Sequence, residues 1–117
     1  MRGRLLRTKK VYISRENVDM RKSINGLAAI VQEDFELDVF TGALFVFMNG
    51  NKTRIKVLQW DKDGFVLYYK RREKGRFYWP SFDEKTGAVI IGRDDLDRLL
   101  DGLVMEQFIP RKNYAVI

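Results

Sequence analysis

The chain has 117 residues, of which 45% are hydrophobic and 13% aromatic, a net charge of +6, and neither cysteine nor histidine. This length suits one domain with its own core. The missing residue types exclude disulfides, thiolate or imidazole metal sites and histidine-activated nucleophiles. No apolar run reaches the roughly 20 residues that span a bilayer, and the start lacks a signal-peptide pattern, so we expect a cytoplasmic protein without membrane partners.

The charges are unevenly distributed along the chain. Residues 1–10 carry five basic side chains and no acidic one, residues 52–76 carry nine basic and three acidic, and residues 83–106 carry three basic and seven acidic. Such clustering, at a pI near 9.7, indicates a polyanionic partner. We divide the chain into a basic N-terminal arm (1–10), a single domain (11–103) and a C-terminal tail (104–117).

The first half of the chain predicts a strand, a helix and a second strand. Residues 11–14 read as a short strand. Apolar residues at helical spacing predict a helix over about 19–36, with Asp19 as its N-cap. The run ALFVFM at 43–48 is typical of a buried strand, and the Asn-Gly pair after it signals a hairpin.

The second half predicts a meander followed by a strand and a helix. Residues 53–60 alternate in polarity, and the turn sequences DKDG and REKG lead into further strands at 65–70 and 76–79. Residues 88–91 predict another strand, and spaced leucines mark a helix over about 93–103. The fold class is therefore α+β, an antiparallel meander sheet of about four to six short strands with two helices packed on it.

Residues 68–80, YYKRREKGRFYWP, combine five aromatic rings with five cations. Neighbouring antiparallel strands bring same-face side chains together, so these cations and those of residues 52–56 are expected to form one phosphate-binding surface. The rings either stack on exposed bases or point into the core. The candidate nucleic-acid-binding residues are Arg21, Lys22, Arg54, Lys56, Lys70, Arg71, Arg72, Lys74 and Arg76.

Arg21 and Lys22 join this set because of their place in the predicted helix. The helix dipole disfavours cations in a first turn. Either their presence there serves a function, or the Asp19 cap simply offsets their charge.

Two other features leave alternatives open. The basic arm either lies in a groove of DNA or only raises solubility.

The carboxylates of Asp61 and Asp63, or those of Asp94, Asp95 and Asp97, are of the type that holds Mg²⁺ in phosphoryl-transfer enzymes. Both sets also suit a tight turn and a helix start. We predict no metal site, no cofactor and no catalytic residue.

Short motifs follow one another along the chain, among them DMRK at 19–22, RIKVL at 54–58, WD at 60–61, GRF at 75–77 and WP at 79–80. Their order and spacing resemble the TnpB accessory protein of the insertion-sequence-66 (IS66) family of bacterial transposons. The resemblance covers about residues 11–103. The residues that carry it are Asp19, Arg21, Lys22, Lys56, Trp60, Lys70, Arg71, Gly75, Trp79 and Pro80.

The resemblance implies a small protein that is encoded beside a larger, catalytic transposase and is needed for transposition. We therefore expect a non-enzymatic accessory factor that binds DNA, for example the ends of the transposon, through its basic surface. The transposase of the same element is the expected protein partner. The alternatives are an adaptor of the transposase with little DNA affinity of its own and a carboxylate-metal nuclease.

Overall fold

The computed structural model describes residues 10–105 of the chain. These residues form one mixed five-stranded sheet in the order β4-β3-β2-β1-β5, which confirms the predicted α+β class. The elements are β1 (Val11–Ser14), α1 (Ile24–Ala29), β2 (Leu44–Met48), β3 (Arg54–Asp61), β4 (Gly64–Arg71), β5 (Ala88–Ile91) and α2 (Arg93–Leu100). The predicted arm, apart from Lys10, and most of the predicted tail lie outside the described residues. Within 10–105, no helix is long and apolar enough to cross a membrane.

The sheet combines a β-α-β unit with two hairpins. β1 and β2 pair in parallel, and α1 lies in the connection between them, because parallel strands need a long crossover. β2, β3 and β4 follow as antiparallel neighbours. β5 returns to the opposite edge and pairs antiparallel with β1. The predicted strands at 11–14, 43–48, 53–60, 65–70 and 88–91 are thus confirmed to within a residue or so at their ends.

The two helices cover opposite faces of the sheet. On β2, Leu44, Val46 and Met48 join the core beneath α2, whereas Phe45 and Phe47 join the core beneath α1. All five residues of this central strand are buried. A continuous apolar run therefore marks a strand that is covered on both sides.

The predicted helix over 19–36 is wrong at its start. Asp19 accepts a hydrogen bond from the backbone N–H of Lys22 at 3.0 Å and closes a separate turn. Ser23 follows in an extended conformation, and α1 begins at Ile24. Arg21 and Lys22 therefore precede the helix, and the expected conflict with its dipole does not arise. Beyond α1, residues Ile30–Asp34 continue as a π-helix.

The predicted strand at 76–79 is also wrong. Gly75, at φ +74°, turns the chain after β4, and the next segment does not pair with β4. Instead, the N–H of Phe77 donates to the carbonyl of Lys52 in the β2–β3 loop at 2.7 Å. The Phe77 ring is only 2% exposed and packs in the core beneath α2. This segment is held against the domain by the Phe77 ring, by the partly buried Trp79 ring, which packs against the same core, and by one backbone hydrogen bond, without a strand ladder.

Candidate nucleic-acid interface

A cleft of about 700 Å³ lies where β3 begins and β4 ends, on the face that carries α1. Its walls come from the 18–21 turn, the β2–β3 loop and the two strands. The lining residues are Val18, Asp19, Met20, Arg21, Asn49, Gly50, Asn51, Arg54, Lys56, Leu67 and Tyr69. Three of the predicted nucleic-acid-binding residues, Arg21, Arg54 and Lys56, thus share one concave surface.

Two arginines lie directly opposite each other beside this cleft. The strand register pairs Arg54 with Arg71, so both side chains leave the same face of the sheet. Like charges at such a position are destabilising unless something neutralises them. Glu73 does so in part, because it accepts a hydrogen bond from Arg71 Nε at 2.7 Å. This bond also raises the pKa of Arg71. Both arginines are exposed.

Lys56 and Tyr69 form the next cross-strand pair into the cleft. The Lys56 ammonium donates to the carbonyls of Met20 and Lys22, each at 2.8 Å. It also lies 5.5 Å from the centroid of the Tyr69 ring. Lys56 therefore holds the 19–22 turn against the sheet, while 49% of Tyr69 stays exposed.

Asp19 fixes the position of Arg21 at the cleft rim. The carboxylate accepts bonds from Arg21 Nε at 3.0 Å, Nη2 at 2.7 Å and the backbone N–H at 2.9 Å. The side-chain bonds and then the backbone bond lower the pKa of Asp19 to about 2. The Arg21 side chain remains 91% exposed, so its guanidinium is oriented yet open to solvent.

The β2–β3 loop that forms the opposite wall is closed by one side chain. Asn49 Oδ1 accepts hydrogen bonds from the N–H groups of Thr53 and Arg54, both at 3.0 Å, and its Nδ2 donates to Thr53 Oγ1 at 3.1 Å. The predicted hairpin is confirmed, with the connection spanning residues 49–53. This network holds the backbone at Arg54 and leaves Asn51 exposed at the cleft.

Lys70 and Arg72 lie apart from the cleft. Strand alternation directs Lys70 to the opposite face, where its ammonium donates to the carbonyl of Leu100 at 2.5 Å. That carbonyl belongs to the last turn of α2, where a cation is favourable. Arg72 Nε donates to the Lys74 carbonyl at 3.0 Å, and its guanidinium lies 5.7 Å from the Phe77 ring centroid. Lys70 therefore links β4 to α2, and Arg72 makes local contacts with the segment that follows β4.

The remaining predicted residues are dispersed. Lys74 and Arg76 are exposed in the turn after β4, and Lys22 is exposed beside a second cavity, under α1. Trp79 and Pro80, which form the WP motif, line a smaller cavity of about 280 Å³ together with Arg15 and Lys52. The structure thus divides the predicted single patch into a cleft, an exposed turn and two structural contacts.

Sequence reasoning missed an aromatic cluster at the other end of the β3–β4 hairpin. The Phe40 ring lies 5.1 Å from Trp60 and 5.8 Å from Phe65, and Trp60 and Phe65 lie 5.0 Å apart, all between ring centroids. Phe40 is 53% exposed. The strand register alone pairs Trp60 with Phe65, but no local pattern in the sequence indicates that Phe40 joins them.

The carboxylates considered for a metal do not converge. Asp61 and Asp63 flank the β3–β4 turn, with the N–H of Asp63 donating to the Asp61 carbonyl at 2.6 Å. Asp94 and Asp95 lie in the first turn of α2. Across residues 10–105, no group of three or more acidic side chains is arranged to hold a metal ion.

Comparison with known proteins identifies the family. Residues 9–109 match the family model described as "IS66 Orf2 like protein". The uncharacterized protein y4hO of Sinorhizobium fredii strain NGR234 is 38% identical over 94 residues, which cover 80% of this chain and 80% of the relative. A second uncharacterized protein of that strain, y4jC, is 31% identical over 94 residues, which cover 80% of this chain and 79% of the relative. No solved structure matches the chain.

The family match places the chain among the accessory proteins of a mobile element. The chain belongs to the family of IS66 Orf2-like proteins, which confirms the resemblance drawn from its motifs.

Proposed function

We propose that the protein is a non-enzymatic DNA-binding accessory factor for transposition, which binds transposon-end DNA through the cleft and assists the transposase of the same element. The observation that carries this proposal is the placement of Arg54 directly opposite Arg71, beside a cleft that Arg21 also lines. A phosphate between the two guanidinium groups would neutralise their repulsion, and arginine binds phosphate through two parallel hydrogen bonds.

The expected mode of binding is engagement of the phosphate backbone. Arg21, Arg54 and Arg71 would contact phosphates at the cleft, and Lys74 and Arg76 would extend the contact along the exposed turn. Lys22 would add long-range attraction. Such contacts position DNA without reading its sequence, which suits a factor that places a transposase rather than one that selects a site.

Salt-dependent binding tests this mode directly. The Kd for a transposon-end duplex and for a scrambled duplex would be measured from about 50 to about 200 mM salt. For the Arg54→Ala/Arg71→Ala variant, the slope of log Kd against log salt should be lower by about 2, since each phosphate contact contributes roughly 0.9. The control is Lys70→Met, because the Lys70 side chain lies on the opposite face of the sheet from the cleft. The salt dependence of this variant should have the same slope as that of the wild type.

Two results would overturn this mode of binding. One is the absence of binding to either duplex at the lower salt concentration. The other is an unchanged slope in the double arginine variant, which would place the phosphates elsewhere on the molecule.

The aromatic cluster favours a second candidate function, that of an adaptor for the transposase. Phe40 is held firmly although it is exposed. Its N–H donates to the Asp38 carboxylate at 2.9 Å, and Gln59 Nε2 donates to the carbonyl of Gly42, just beyond it, at 3.0 Å. Rigid exposed aromatic residues are typical anchors of protein interfaces.

The charges near the cluster indicate the chemistry of the partner segment. Glu36 and Asp38 precede Phe40, and the hairpin turn at 61–63, beside Trp60, carries two carboxylates and one cation. The complementary segment of the transposase would place an apolar side chain on Phe40 and flank it with lysine or arginine.

A pull-down titration with the transposase tests the adaptor role. Phe40→Ser should weaken binding by about 30-fold or more if the ring is an interface anchor. The matched control is Ile90→Ser on β5, because Ile90 is equally exposed, at 53%. Equal binding by both variants would exclude the cluster as the transposase contact.

A further inference from the structure

We infer that the cleft accepts an unpaired nucleotide, with its base stacked on Tyr69 and its phosphates on Arg54 and Arg71, so that the protein prefers single-stranded DNA to duplex DNA. This inference rests on the proposed function and specifies the form of DNA that is bound. Its first support is the chemistry of the lining. Val18, Met20 and Leu67 provide apolar surface beside the half-exposed Tyr69 ring, and charged and amide groups surround it.

The size of the cleft fits a nucleotide. Its volume of about 700 Å³ lies within the range of roughly 300 to 1,000 Å³ that is typical of sites for small organic ligands. In a duplex, moreover, both faces of each base are covered by its neighbours, whereas an unpaired base offers a free face to an aromatic ring.

The strand register places the stacking group and the phosphate-binding groups at suitable spacing. Tyr69 and Arg71 are two residues apart on β4 and so leave the same face roughly 7 Å apart. Arg54, which is opposite Arg71, is a diagonal neighbour of Tyr69, also roughly 7 Å away. A base on the ring and its flanking phosphates on the arginines would therefore follow the edge of the hairpin.

The cleft is already organised for such a ligand. Lys56 is held by two carbonyls from the 19–22 turn and lies against the Tyr69 ring, so the ring has a fixed neighbour on one side. Asn49 fixes the loop that carries Asn51. The exposed Asn51 amide provides both donors and an acceptor for the edge of a base. The loop and the Lys56 side chain would therefore lose little entropy on binding.

The test compares an oligo-thymidylate of about 20 nucleotides with a duplex of the same length at one low salt concentration. The wild type should bind the single strand more tightly. Tyr69→Ala should weaken single-strand binding by about 5- to 150-fold, the range expected for one lost base stack, and should change duplex binding by less than about twofold. Tyr69→Phe, which keeps the ring, should bind the single strand like the wild type.

The matched control is Tyr78→Ala. Tyr78 is 50% exposed, against 49% for Tyr69, but does not line the cleft. Its loss should leave both affinities unchanged. An equal effect of the two alanine variants would overturn the inference, because it would show a non-specific contribution of exposed rings.

The remaining outcomes separate this inference from the proposed function. If Tyr69→Ala binds the single strand like the wild type while Arg54→Ala/Arg71→Ala weakens it, base stacking is excluded and phosphate binding stands. If Tyr69→Ala weakens the binding of single strand and duplex equally, the ring supports the cations, and base stacking is excluded as the source of the preference. If the wild type binds neither probe, both proposals fail.

Discussion

At the scale of single residues, the structure divides cations that look alike in the sequence. Strand alternation is enough to predict that Arg54 and Lys56 share one face of β3, as the structure shows. It does not predict the partners of Lys56 and Lys70, because the carbonyls that accept their hydrogen bonds lie 36 and 30 residues away in the chain. Only the folded structure reveals that Lys70 links β4 to α2 while Arg54 and Arg71 stay open to solvent.

The role of Lys70 gives a prediction about stability. Lys70→Met keeps most of the alkyl stem but leaves the Leu100 carbonyl without its charged donor. We expect the free energy of unfolding to fall by about 1.5 to 3 kcal/mol, as for a lost hydrogen bond to a charged group. Urea denaturation would measure it. An unchanged denaturation midpoint would show that the Lys70 contact contributes nothing to stability.

Asp19 gives a prediction about pH. Its pKa is lowered from 3.8 to about 2 by hydrogen bonds from Arg21. The folded state therefore favours the carboxylate, and the stabilisation from this contact is complete above about pH 4 and is lost as the pH falls through about 2. An NMR titration of the Asp19 carboxyl carbon should give a midpoint near 2, which Arg21→Ala should shift toward 3.8. Equal midpoints in the two proteins would contradict the Arg21 contact.

At the scale of elements, the five strands and α2 could be predicted because their apolar patterns match their burial. The start of α1 could not, since the tertiary contact of Lys56 with the 19–22 turn competes with the helix. The segment at 76–79 has the composition of a strand, but it is a loop, and its Phe77 ring packs in the core beneath α2. Local propensity was overruled there by the packing of Phe77 and by its hydrogen bond to Lys52.

Phe77 gives the prediction at this scale. Phe77→Ala removes a ring that is 2% exposed and should lower the free energy of unfolding by about 3 to 5 kcal/mol. Tyr78→Ala, at the next position and half-exposed, should change it by less than about 0.5 kcal/mol. Thermal or chemical denaturation of both variants would decide. Similar losses would indicate that the whole segment, rather than one ring, packs against the domain.

At the scale of the whole molecule, the β3–β4 hairpin separates two surfaces of opposite character. Its arginine end borders the cleft, and its turn carries Asp61 and Asp63 beside the aromatic cluster. Arg54 and Trp60 are roughly 20 Å apart along β3. The charge clusters of the sequence predicted a basic surface, but only the register assigns its members to one face and places the aromatic cluster at the far end.

This separation predicts that DNA and the transposase can bind together. Saturating the cleft with oligo-thymidylate should leave the affinity for a DNA-free transposase within about twofold, because no residue is shared between the two surfaces. Arg54→Ala/Arg71→Ala should also retain transposase binding. Competition between oligonucleotide and transposase for the protein would show that the two ligands use the same surface.

Mapping the DNA-binding surface by NMR would test directly whether the cleft binds DNA. Backbone amide shifts of ¹⁵N-labelled protein would be recorded during titration with oligo-thymidylate. The largest changes should fall on the residues around the cleft, at 18–21, 49–56 and 67–71. Changes confined to residues 38–42 and 60–65, or no changes at saturating oligonucleotide, would contradict DNA binding in the cleft.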